Sequence, residues 1–188
     1  DLRMSRGLGD VYKRQILGWK AEVSVPDFDK CIICAAPHTT NWDLFIGKLF
    51  ISAIGRESGF MMKKEWFFFP LGILFRWMGG IPVHRDKRTS MVDQVIKQVN
   101  ASEKFHLAIT PEGTRSPNPN WKKGFYYIAL GANIPIVLIG IDYEKKCITA
   151  GKYIIPSGDI DKDMREIKLY FKDFKGKHPH KFVLGDID

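Results

Sequence analysis

Lys30-Cys31-Ile32-Ile33-Cys34-Ala35-Ala36-Pro37-His38-Thr39-Thr40-Asn41-Trp42-Asp43 is the stretch from which the fold class can be read. Lys30 to Ala36 is a short apolar run rich in Ile and Cys, the pattern of a buried strand, and it ends at Pro37. A polar turn follows, in which Thr39, Thr40 or Asn41 can serve as an N-cap. Asn41 to Arg56 then carries Leu44, Phe45, Lys48, Leu49 and Ser52 at helical spacing.

Outward from that unit, strand-like and helix-like stretches alternate. Phe60 to Lys63 reads as a strand, Glu65 to Met78 as a helix broken or started around Pro70, and Ile81 to His84 as a strand. Thr89 to Ser102 is the clearest amphipathic helix, with Met91, Val92, Val95, Ile96 and Val99 on one stripe. His106 to Thr110 is a strand, Phe125 to Gly131 a helix, Pro135 to Asp142 a strongly apolar strand, Ile148 to Ile155 an outer strand, and Asp159 to Phe174 a charged surface helix. This alternation predicts a single α/β domain with a mainly parallel mixed sheet and helices on both faces.

The chain has 188 residues, 45% apolar and 13% aromatic, enough for one globular core. Asp1 to Gln15 shows no useful periodicity and no initiator methionine, and it reads as foreign, adapter-derived sequence. The expected domain is therefore 16–188. Setting the first fifteen residues aside takes the net charge from +8 to +6, still basic enough to favour nucleic acid, an anionic membrane surface or acidic small molecules. Against nucleic acid, the aromatics gather in one apolar block instead of interleaving with Lys and Arg as stacking platforms do. Three cysteines do not make a disulfide framework, so a reducing, cytoplasmic setting is expected.

His38 stands just past a strand's C-terminal end, where α/β proteins place reactive groups. Asp43 falls in the first turn of the next helix and can reach back to one imidazole nitrogen, which fixes the tautomer and leaves the other nitrogen as a base. The bland alternative is a capping aspartate beside a structural histidine. No Gly-x-Ser-x-Gly elbow is present, and Cys34, on an extended strand, lies about 13 Å from His38. A base at His38 would therefore act on a hydroxyl of the substrate itself.

Glu112-Gly113-Thr114-Arg115 follows the His106 to Thr110 strand through Pro111. Gly lets the backbone approach a ligand closely, Thr and the turn amides donate hydrogen bonds, and Arg115 offers a planar fork for phosphate oxygens. Glu112 would hold that arginine or a substrate hydroxyl. Ordinary turn chemistry would also account for the string. Gly79 through Arg85 is a third piece, with Arg85 read either as a second phosphate ligand or as a strand-terminal surface charge.

In their order and spacing these pieces resemble the glycerol-phosphate and lysophosphatidate acyltransferase family. Its pattern is His-x4-Asp, a Gly-rich strand ending in Arg, Glu-Gly-Thr-Arg, and a Pro-initiated apolar strand, here Pro135-Ile136-Val137-Leu138. The resemblance covers residues 30–142. It implies that His38 deprotonates the acceptor hydroxyl, that Asp43 orients it, and that the alkoxide attacks an acyl thioester without a covalent acyl-enzyme. It further implies that Arg85, Glu112, Gly113, Thr114 and Arg115 hold the acceptor's phosphate, with Lys64 as a further ligand. The donor would be an acyl thioester of coenzyme A or of acyl carrier protein, with no metal and no resident cofactor. The acceptor would be a lysophospholipid such as 1-acylglycerol-3-phosphate, met at the inner face of the cytoplasmic membrane. Pro82 and His84 depart from the second motif, which leaves open another lyso-lipid or an amino-acid lipid as acceptor. A thioester hydrolase is the rival enzyme, and an inactive lipid-binding module the rival outside catalysis.

Trp66 to Phe75 is the longest apolar run. Ten residues are too few to span a bilayer, which needs about twenty. The run is either an interfacial segment flanked by Lys63, Lys64 and Arg76 or a buried core helix. Trp121-Lys122-Lys123 and the lysines from Lys168 to Lys181 would extend a basic membrane face. Cys31 and Cys34 have metal-site spacing, but on a strand they point to opposite faces and are expected to pack. His178-Pro179-His180 lacks partner ligands and reads as a tail turn.

Overall fold

The computed structural model describes residues 12–16, 18–55, 58–77, 79–83 and 90–187. Among these residues eight strands and five α-helices follow one another as β1 (Tyr12–Ile16), β2 (Trp19–Val23), β3 (Lys30–Ala36), α1 (Trp42–Ala53), β4 (Phe60–Lys63), α2 (Leu71–Trp77), β5 (Gly80–Val83), α3 (Met91–Ala101), β6 (Phe105–Ile109), α4 (Gly124–Ala132), β7 (Ile136–Asp142), β8 (Cys147–Ile154) and α5 (Ile160–Phe171). Six of the strands form one sheet in the order β1-β2-β8-β7-β3-β6, and β4 pairs with β5 in a separate parallel pair. In the large sheet β3 is parallel to both β6 and β7, and β2 is parallel to β8, whereas β1 with β2 and β7 with β8 are antiparallel. The chain is thus the expected single-domain α/β fold with a mainly parallel mixed sheet.

Alternation along β3 explains how both faces are covered. Ile32, Cys34 and Ala36 enter a core with Val95 and Val99 of α3, Phe125 and Ile128 of α4, and Met164, Ile167 and Phe171 of α5. Cys31 and Ile33 enter the opposite core with Phe50 and Ile51 of α1. The two cysteines therefore sit on opposite faces and are both buried, as the strand geometry requires. All seven residues of β7 are buried, and each large aliphatic among them contributes about 1.5–3 kcal/mol.

One sequence expectation changes, and two stretches gain detail. Ile148 to Ile155 was expected to lie at the sheet's edge, but β2 pairs alongside β8 and makes it interior. Residues 12–15, set aside with the start of the chain, form most of β1, which pairs with β2; residues 1–11 lie outside the described residues. The Asp159 to Phe174 surface helix is strongly amphipathic, with Ile167 and Phe171 completely buried. Its N-cap Asp159 accepts from Lys162 N at 3.1 Å.

The stripe read on α1 does not enter the core: Leu44 and Lys48 border a cavity, and Phe45 and Leu49 face outward. Asp43, Phe50 and Ile51 are buried, while Trp42, Phe45 and Leu49 are 60%, 59% and 52% exposed. The Trp66 to Phe75 run divides into a 3-10 turn (Lys64–Trp66) and α2. Phe69, just before α2, and Ile73 within it are 83% and 64% exposed, so the buried-helix alternative fails there. No helix among the described residues is long and apolar enough to cross a membrane.

Candidate functional site

Parallel pairing of β3 with β6 brings the two polar strings together. The register aligns Cys34 with Ile109, so His38 and Glu112 leave the same sheet edge from neighbouring strands. They are joined directly: the His38 amide donates to Glu112 Oε1 at 2.6 Å. Arg115 Nη1 makes a second cross-link by donating to Asn41 Oδ1. Asn41 occupies the N-cap position of α1, yet its side chain makes no cap bond and serves the arginine instead.

Asp43 folds back onto its own loop. Its Oδ2 accepts from the amides of Thr39 at 2.7 Å and Thr40 at 2.8 Å, and lies 3.4 Å from His38 Nδ1. Nδ1 is buried without another hydrogen-bond partner, so Asp43 is the group that meets positive charge on the ring. That contact is long, as catalytic contacts often are before substrate binds. Burial pushes the Asp43 carboxyl up, but hydrogen bonds from His38, Tyr143 and the Thr40 and Thr39 amides outweigh it, and the net displacement is downward. Asp43 is therefore a persistent anion beside the imidazole.

Glu112 takes a different place from the one read in the sequence. It is 1% exposed and braces the His38 backbone instead of an arginine or a substrate hydroxyl. Burial pushes its carboxyl up to about 7; the His38 amide opposes this and the charge of Asp43 adds to it. A carboxyl raised above its ordinary value of 4.5 holds a proton in the folded chain that the unfolded chain has already lost. Its contribution to stability is thus complete below about pH 4.5 and is lost as pH rises through about 7. The midpoint of thermal unfolding is expected to fall across that window, and Glu112→Gln, which keeps an acceptor for the His38 amide, is expected to flatten the decline. Melts of both proteins from pH 4.5 to 7.5 check this. Burial first and Glu112 second push the Cys34 thiol up, so it remains protonated and is no nucleophile.

The turn after Glu112 is held on itself. Pro111 O accepts from Lys122 N at 2.7 Å and Glu112 O from Asn118 Nδ2 at 2.7 Å. Gly113 has φ +68°, a backbone conformation that favours glycine; a Cβ there would stand 3.0 Å from Cγ of the exposed Lys122, a contact the lysine can relieve by a small shift. Gly113, Thr114 and Arg115 are exposed to the cavity that His38, Asn41 and Asp43 also line.

That cavity measures about 980 Å³. Ile33, Ile51, Met61, Val92, Ile109, Ile128, Ile139 and Ile141 supply apolar wall, and Lys48, Arg115, Lys122 and Lys123 supply positive charge, with Asp43 the one carboxylate among its lining residues. Sequence reasoning had not placed Lys48 or Lys122 in the site. Lys122 is anticipated only by its closeness to Arg115 in the chain, and Lys48 by its place on the cavity side of α1. Lys64 is exposed on the 3-10 turn and does not line this cavity. Arg85 lies outside the described residues. Among the described residues there is no cluster of His, Cys, Asp and Glu that could hold a metal ion.

No curated protein and no solved structure matches the chain significantly. A family model described as Acyltransferase matches residues 20–142, a span that contains the His38 loop, the Glu112 turn and β7. With well over half of the chain matched, the protein belongs to the acyltransferase family, that of the glycerol-phosphate and lysophosphatidate acyltransferases.

Proposed function

We propose that this acyltransferase moves a fatty acyl group from an acyl thioester to the hydroxyl of a lysophospholipid-like acceptor, with 1-acylglycerol-3-phosphate as the first candidate. The observation that carries the reading is the shared cavity: the His38–Asp43 couple, a cluster of cations and an extended apolar wall face one space. An amphiphile with a phosphate, a hydroxyl and an alkyl chain needs those three surfaces. In the proposed reaction His38 Nε2 accepts the hydroxyl proton, and the alkoxide oxygen bonds to the thioester carbonyl carbon. The C–S bond breaks, and the departing thiolate takes the proton from the imidazolium. Arg115, the Gly113–Thr114 turn and Lys122 hold the phosphate, and Asp43 balances the imidazolium. A thiolate is a good enough leaving group that no metal is required.

The test is to incubate the purified protein with palmitoyl-coenzyme A or palmitoyl-acyl carrier protein and a panel of lyso-lipids, following free thiol and lipid product. Thiol release that depends on a lyso-lipid, with the diacyl product formed, is the expected result. Release without acceptor would make the protein a thioester hydrolase, and no turnover with either donor would leave it a lipid-binding module.

The outward faces of α1 and α2 are the membrane contact in this reading. Trp42, Phe45 and Leu49 fall on one helical face, Lys177 Nζ lies 5.9 Å over the Trp42 ring, and Lys48 borders the cavity mouth on the same helix. Half-exposed aromatics beside cations suit the headgroup region of an anionic bilayer. Trp42→Ser with Phe45→Ser is expected to weaken binding to phosphatidylglycerol vesicles on the order of tenfold or more, measured by vesicle sedimentation, with little change in thermal midpoint.

A further inference from the structure

The environment of Asp43 is completed from outside the motifs. Tyr143 follows β7, one hundred positions from Asp43, and its Oη donates to Asp43 Oδ1 at 2.6 Å. The carboxylate is thereby divided: Oδ2 takes the Thr39 and Thr40 amides and faces His38, and Oδ1 takes the phenol. Asp43 is 4% exposed, so solvent is poorly placed to replace Tyr143, and a buried acceptor stripped of its donor is costly.

Tyr143 is itself held on several sides. Trp19 meets its ring edge to face, with centroids 4.9 Å apart and planes at 88°. The Tyr143 amide donates to Lys175 O at 2.8 Å, and Lys175 Nζ pairs with Glu144 at 2.6 Å. From Lys175 the chain runs along the His38 loop. A Cβ at Gly176 would stand 2.8 Å from Thr39 Cγ2 and 3.1 Å from Pro37 Cβ, and the His178 amide donates to Thr39 Oγ1 at 3.3 Å. The segment read as a tail turn thus packs against the loop that carries the dyad. Tyr143 and residues 175–178 both lie beyond the stretch the family model matches.

We propose that Tyr143 is a positioning residue for acyl transfer, the third member of a Tyr143–Asp43–His38 relay, with residues 175–178 as the strap that holds it and the Thr39 loop together. The inference rests on the reading of His38 as the base. When the acceptor hydroxyl gives its proton to Nε2, positive charge appears at Nδ1–H, and Oδ2 must meet it without the carboxylate swinging away. Tyr143 supplies that restraint by tying down the other oxygen. Burial and Asp43 both push the phenol up, so it stays a donor and transfers no proton.

The test compares the unaltered chain, Tyr143→Phe, Asp43→Asn and the double variant in steady-state turnover of palmitoyl-coenzyme A with 1-acylglycerol-3-phosphate or whichever acceptor the unaltered chain uses. Tyr143→Phe is expected to lower kcat about tenfold, the scale of one hydrogen bond to a charged group, and to leave both KM values within about twofold. In the Asp43→Asn background the same substitution is expected to cost nothing further, because the atom it restrains has lost its charge. Gly176→Ala, which pushes on Thr39, is expected to lower kcat in the same way and serves as the second variant should Tyr143→Phe fold poorly. An unchanged kcat in Tyr143→Phe, or a loss that adds in full to that of Asp43→Asn, overturns the relay while acyl transfer stands. Absence of acceptor-dependent turnover in the unaltered chain overturns the acyl-transfer reading and the relay with it.

Discussion

His38→Ala is expected to lower kcat for acyl transfer on the order of a thousandfold, within the range that a positioned general base supplies. The fold should survive the change. The His38 side chain is 18% exposed, and its ring makes one loose contact, at 3.4 Å to Asp43. What anchors the loop is the His38 backbone, whose amide binds Glu112, together with the Thr39 and Thr40 amides on Asp43, and alanine keeps all of these. Thiol release and product formation measured beside a thermal melt separate the two effects. A variant that melts like the unaltered chain and still turns over at a tenth of its rate would remove the imidazole from the chemistry.

Phe171→Ala carries the largest expected loss of stability. Phe171 is fully buried at the end of α5, where its ring packs with Trp121, Tyr170 and Phe174 at centroid distances of 6.0, 5.1 and 6.1 Å. Truncating a buried Phe costs about 3–5 kcal/mol through lost transfer energy and the cavity left behind. For a chain of this size that corresponds to a fall in midpoint of roughly 10 °C, measurable by calorimetry. Phe174, in the same cluster, also fills the space over Gly140 of β7, where a Cβ would overlap its ring. Loosening Phe171 therefore reaches a central strand and, through the Lys175 end of the strap, the turn that holds Tyr143. Activity should decline at temperatures below the onset of unfolding.

How far the sequence disclosed this follows from where each element's partners lie. β3 and β7 were legible because a strand buried on both faces must be a continuous apolar run. β1 and β2 were missed because they lie at one side of the sheet, and Lys13, Arg14, Gln15, Lys20 and Glu22 leave little alternation to find. The stripe on α1 was found, but its direction was not: helical periodicity says that apolar residues share a face, and only packing says that Phe50 and Ile51 win the core while Trp42 and Phe45 stay outside. In the site, the meeting of His38, Asp43 and Arg115 was legible from motif order. The partner of Glu112 was not, because it is a backbone amide, which no residue type announces. Tyr143 carries no local motif, and its bond to Asp43 crosses one hundred positions, a distance that only the return of β7 beside β3 closes.

The small β4–β5 pair touches the large sheet through a narrow seam. Gly59 bridges Leu107 of β6, its amide donating to His106 O at 2.7 Å and its carbonyl accepting from Ala108 N at 2.9 Å. A Cβ there would stand 2.8 Å from Ile81 Cδ1 and 3.0 Å from the Gly79 carbonyl oxygen, so added bulk would press on both the side chain and the backbone of the pair. β4 meets the sheet beside β6, while His38 follows β3, Asp43 lies in the first turn of α1 and Arg115 follows β6. Ser58, Gly59, Phe60 and Met61 line the cavity from this part of the chain, so whatever shifts the seam shifts one wall of the site while the pairing of β3 with β6 keeps the His38 loop and the Glu112 turn side by side.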